Sequence, residues 1–78
     1  MRINFNWNNG RIDIDADAVI NGMTLTNYRG FAKLFAQHGT PEQHSEFLDR
    51  LLVYINTETR KVWSNEYRRK YEILKRLV

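Results

Sequence analysis

Ile3, Phe5 and Trp7 alternate with Arg2, Asn4, Asn6 and Asn8. A period of two belongs to a strand with one buried face. Past Asn9-Gly10 the alternation resumes, with Ile12, Ile14, Ala16, Ala18 and Ile20 set against Arg11, Asp13, Asp15 and Asp17. Asn-Gly is a strong two-residue hairpin signal, because a type I′ turn needs positive φ at both central positions. The pattern predicts antiparallel strands over about 2–8 and 11–20, with Trp7 opposite Ile12, Phe5 opposite Ile14 and Ile3 opposite Ala16. Asn21-Gly22 repeats the signal and predicts a short third strand over about 23–26. The expected unit is a two- to three-stranded β-meander, and its apolar face must be covered by helices.

The rest of the chain carries helical periods. Tyr28, Phe31, Ala32, Leu34 and Phe35 form a stripe over about 27–38, capped by Thr26 or Asn27. Gly30 inside it predicts close packing against Ala16 or Ala18, and Gly39 a left-handed C-terminal stop. Thr40-Pro41-Glu42-Gln43 has the capping residue, the first-turn proline and the glutamine of a capping box. The helix it opens, over about 41–56, has the stripe Phe47, Leu48, Leu51, Leu52 and Ile55. A last helix over about 58–77 has the stripe Val62, Trp63, Tyr67, Tyr71, Leu74 and Val78. The two stripes are rotated by about a quarter turn at 100° per residue. A break near Asn56–Thr59 is therefore expected, with one long bent helix as the alternative. The fold class read from these patterns is α+β, one domain over 1–78.

Composition narrows the function classes. The chain has 78 residues, no cysteine and one proline, with 42% hydrophobic residues. That excludes a multi-domain enzyme, a disulfide scaffold and a zinc site of the Cys type. No apolar run approaches the ~18–20 residues of a membrane span, and MRINFNWNNG lacks a signal-peptide core. The expected setting is soluble and cytoplasmic, in a reducing compartment.

Charge is unevenly placed. Residues 1–59 hold five basic and seven acidic groups, whereas residues 60–78 hold seven basic and two acidic groups. Lys61, Arg68 and Lys75 recur every seven residues, as do Arg69 and Arg76. Together they predict a basic helical face opposite the apolar stripe. Such a face suits phosphates or an acidic protein surface. It also suits a merely solvated face supported by Glu66–Lys70 and Glu72–Arg76 pairs.

Other chemistry is thin. Asp13, Asp15 and Asp17 form an acidic strip that begins like a calcium loop. The sixth and twelfth positions of such a loop are here Ala18 and Thr24 instead of Gly and Glu. The strip reads as a solvated strand face or a secondary docking strip for a basic partner. His38 and His44 have no third ligand spaced to join them. Ser45 and Ser64 have no base and orienting group around them. A helix-turn-helix over Phe31–Leu48 is disfavoured by Glu42, Glu46 and Asp49 on the would-be recognition helix. Trp63, Tyr67 and Tyr71, at i, i+4 and i+8, suit core packing, or else a platform for bases. No catalytic residue, metal site or cofactor is assigned.

In size, in its hairpin Asn4-Phe5-Asn6-Trp7-Asn8-Asn9-Gly10 and in its helix with Arg68-Arg69-Lys70, the chain resembles the small phage-encoded inhibitors of host defence, the anti-CRISPR proteins. The resemblance carries no specific motif and no site residues. It implies inhibition by blocking a nucleic-acid-handling machine, in the host cytoplasm. Three readings stay open: a non-catalytic protein-binding inhibitor, a nucleic-acid-binding regulator that uses the basic helix, and an assembly subunit that homodimerises.

Overall fold

A computed structural model describes all 78 residues. Strand β1 (Arg2–Trp7) and strand β2 (Gly10–Asp15) form an antiparallel hairpin. Helices α1 (Ala16–Gly22), α2 (Leu25–His38), α3 (Pro41–Thr57) and α4 (Lys61–Leu77) follow. The α+β class is as expected, but two elements differ from the sequence reading.

The hairpin turns on Asn8-Asn9, not on Asn9-Gly10. Asn8 has φ 51° and Asn9 φ 61°, while Gly10 takes an ordinary negative φ. Asparagine tolerates the left-handed region, so two asparagines satisfy the type I′ turn and Gly10 becomes the first residue of β2. Phe5 therefore faces Ile12 and Ile3 faces Ile14. The register moves by two residues, which preserves the period-two parity. Ile3 and Phe5 are buried as expected, with Trp7, Ile12 and Ile14 half-buried beside them.

Residues 16–22 are helical, which corrects the strand expected to run on to Ile20. There is also no third strand at 23–26. Asp15 ends β2 and caps α1, its carboxylate accepting from the Asp17 N–H at 3.0 Å. Ala16, Val19 and Ile20 are buried, the i, i+3, i+4 spacing of a helical face. Ala16 and Ile20 share a face under either period. Val19, placed outside by the strand reading, is buried, and Ala18 is exposed. Thr24 then caps α2, accepting from the Asn27 N–H at 3.3 Å, so α2 starts two residues before the expected 27.

Helix α3 begins with the expected capping box between Thr40 and Gln43. The break between α3 and α4 falls at Glu58–Arg60, where Glu58 and Arg60 are both extended. Glycine roles change. Gly30 is exposed, with nothing within 4 Å of where a Cβ would stand, so close packing does not explain it. Gly39 has φ −76°, not a left-handed angle. Its smallness matters instead, because a Cβ there would lie 2.8 Å from the Phe35 carbonyl oxygen and 3.0 Å from His44 Nε2.

The core starts where α2 packs on β1 and α1 on β2. Phe35 packs on Phe5 and on Phe47, each at 5.3 Å between ring centroids. Tyr28 and Phe31 extend the aromatic cluster along α2. Helix α4 lies against α2 and α3 and contributes Tyr67 and Leu74. Its expected stripe is only partly buried: Val62 is 76% exposed and Trp63 40%. Lys70, absent from that stripe, is 2% exposed.

Candidate functional site

Lys70 organises the region around α4. Its ammonium donates to the carbonyl oxygens of Ile20 at 2.6 Å and Met23 at 2.8 Å. It thereby serves the C-terminal end of α1, where carbonyls lack helical partners. It also stands 5.7 Å from the centroid of the Tyr28 ring. The Tyr28 hydroxyl in turn donates to the Lys70 backbone oxygen at 2.7 Å. Burial pushes the Lys70 ammonium pKa down, with Glu66 opposing, and pushes the Tyr28 phenol up. These contacts lock the register of α2 against α4.

That register brings two basic rows together. Next to Tyr28 on α2 lie Arg29 and, one turn on, Lys33. Next to Lys70 on α4 lie Arg68 and Arg69, with Arg76 two turns on. These five cations, with Glu72, Ile73 and Leu77, line an open cleft of about 690 Å³ between the two helices. All five are exposed.

None of the five makes an ion pair. The ion pairs of the protein join Met1 to Asp15 and Asp17, Arg2 to Asp13, Arg50 to Asp17, and Arg60 to Glu58. Glu72, the one carboxylate in the cleft, pairs with neither Arg68 nor Arg76. Like charges one turn apart, such as Arg29 and Lys33, oppose folding by a few tenths of a kcal/mol. Helix dipoles explain only part of the arrangement. Arg76 is in the last turn of α4, where a cation is favoured, but Arg69 is mid-helix. Arg29 lies just past the first turn of α2, at the positive end.

The expected basic face is thus divided. Arg68, Arg69 and Arg76 line the cleft, whereas Lys61 and Lys75 do not. Lys75 lies instead over the Tyr71 ring, 5.3 Å from its centroid. Arg29 and Lys33 were missed from sequence. Their one-turn spacing was visible, but only the packing of α2 on α4 adds them to the arginines. The Glu66–Lys70 pair is not made either, since Lys70 turns inward.

The acidic strip is engaged internally. Asp13 pairs with Arg2 at 3.3 Å, and Asp15 caps α1. Asp17 accepts from Arg50 Nε at 2.7 Å, the Met1 ammonium at 2.6 Å and the Tyr54 hydroxyl at 2.8 Å. Arg50, then the terminal ammonium, holds its carboxyl well below the usual carboxylate range. Asp13 thus ties β2 to β1, Asp15 joins β2 to α1, and Asp17 fastens α1 to the chain terminus and to α3.

His44 Nε2 lies 2.8 Å from the Phe35 carbonyl oxygen, while His38 lines a cleft beside the Asn8-Asn9 turn. No three His, Asp or Glu side chains converge as metal ligands would. In the aromatic trio Tyr67 is buried and donates to Asn21 Oδ1 at 2.7 Å, while Trp63 sits beneath Arg60. No helix is long and apolar enough to cross a membrane. Comparison of the chain with protein-family models, with curated proteins and with solved structures finds no match.

Proposed function

We propose that the protein is a non-catalytic binding module that docks its α2–α4 cleft onto an anionic partner and acts by occupying that surface. One observation carries the reading: five cations without an ion pair converge in one concave site. Concave placement sums their fields over a small volume, which raises encounter rates with a polyanion. Inhibition follows from occupancy, because a 9.4 kDa body seated on an anionic surface excludes other binders. A machine that handles nucleic acid, as the resemblance to phage inhibitors implies, carries a polyanion in the nucleic acid itself, which a cationic cleft can cover.

The test is retention on immobilised heparin and on immobilised polyglutamate over a salt gradient. The wild-type chain is expected to bind at least one support and elute late. Arg69→Gln/Arg76→Gln is expected to elute at markedly lower salt, while Lys61→Gln/Lys75→Gln stays close to wild type. Equal shifts for the two double variants would show that net charge acts rather than the cleft. Flow-through of the wild type at low salt on both supports would end the proposal.

A further inference from the structure

Resting on that reading, we infer that the anionic partner is the phosphate backbone of a nucleic-acid duplex, bound without sequence preference. Four of the five cleft cations are arginines. The guanidinium fork matches two oxygens of one phosphate, and arginine is weakly hydrated compared with lysine. The cations stand on both walls. Helices in contact lie with their axes about 8–10 Å apart, so the groove between them is shallow: it does not admit a whole duplex, but cations on its two walls can flank the phosphate ridge of one strand. Along α4, Arg69 and Arg76 are about 10.5 Å apart at 1.5 Å per residue. That reaches at least two neighbouring phosphates of one strand, which are farther apart along the strand than the rise of about 3.4 Å along the duplex axis.

The lining also disfavours the other polyanions. Single strands are held by aromatic side chains on which bases stack, and no aromatic lines the cleft. The nearby rings are committed elsewhere: Tyr28 and Tyr67 are buried, and Trp63 lies in the first turn of α4 under Arg60. No Asn or Gln is present to read adenine edges, and arginines set on the walls of a groove that receives the phosphate ridge meet phosphate oxygens rather than guanine edges. A protein partner needs an apolar centre within the charged rim. Here only Ile73 and the exposed Leu77 are apolar, and they stand among five cations.

The experiment is fluorescence anisotropy of the full chain with a labelled DNA duplex of about 20 base pairs, two scrambled duplexes and the corresponding single strand, from 50 to 200 mM salt. One phosphate per cation sets the upper limit of the log–log salt slope at about −4.5, so duplex affinity should fall by up to about 500-fold across that range. Arg69→Gln/Arg76→Gln should reduce the slope by about 2. Arg29→Gln should reduce it by about 1, with circular dichroism unchanged because these residues are exposed. The scrambled duplexes should bind alike. Tighter binding to the single strand, affinity that follows sequence, or a duplex slope indifferent to all these arginines would overturn the inference. Polyglutamate in the same assay separates the two levels. Loss of duplex binding with cleft-dependent polyglutamate binding refutes the duplex and keeps the cationic docking site. Loss of both refutes the site.

Discussion

Replacing Lys70 separates what its stem and its ammonium each contribute. The side chain is 2% exposed, and its ammonium bonds the Ile20 and Met23 carbonyl oxygens. No backbone N–H donates to either oxygen, so Lys70 is their one partner in the protein. Lys70→Met keeps an unbranched apolar chain of similar length and removes the donors. The buried Ile20 acceptor left unsatisfied costs about 1–3 kcal/mol, and the part-buried Met23 acceptor costs less because water can reach it. Relief of the buried charge offsets part of this, so the expected net loss is about 1–3 kcal/mol. Lys70→Ala also removes three buried methylenes at about 0.8 kcal/mol apiece, which places it about 2 kcal/mol below the methionine variant. Urea unfolding at pH 7, followed by far-ultraviolet circular dichroism, measures both as midpoint shifts at constant slope. Of a total stability that is typically about 5–15 kcal/mol, these are large fractions. A methionine variant as stable as wild type, or more so, would refute the account. It would show that burying the ammonium costs more than its two bonds return.

Asp17 supplies the pH dependence. Its folded pKa lies below the unfolded value of about 3.9. Its contribution is therefore complete above about pH 5 and is lost as pH falls through the unfolded value toward the folded pKa. Asp17→Asn should unfold at lower urea than wild type at pH 7, with the gap narrowing as the pH falls from about 5 to 2; a constant gap would contradict this linkage. The glycines should respond in opposite directions. Gly30→Ala meets open space in a helix interior and should stabilise by up to about 1 kcal/mol, seen as a melting rise of several degrees. Gly39→Ala drives a Cβ into the Phe35 backbone oxygen and should lower the melting temperature, an overpacking penalty of about 1–3 kcal/mol.

Much of this molecule was legible along the chain because its signals are local. The Thr40–Gln43 capping box involves neighbours only, and so does the rotation between stripes that foretold the break after α3. The inner face of the hairpin survived a wrong turn position because a two-residue shift keeps parity: Ile3, Phe5 and Trp7 face inward in either register. Of the basic face, Arg68, Arg69 and Arg76 were readable as a helical period. Residues 16–20 were not decidable by pattern, since Ala16 and Ile20 lie on one face under a period of two and under 3.6. There the Asp15 cap and the burial of Val19 settled a helix. Lys70 was also unreadable in isolation, because a lysine turns inward only where another element offers it carbonyl oxygens. Tertiary packing alone joined Arg29 and Lys33 to the arginines of α4. Sequence periodicity ranks the faces within one helix, whereas the register between two helices is set by side chains that meet across them, here Tyr28 and Lys70.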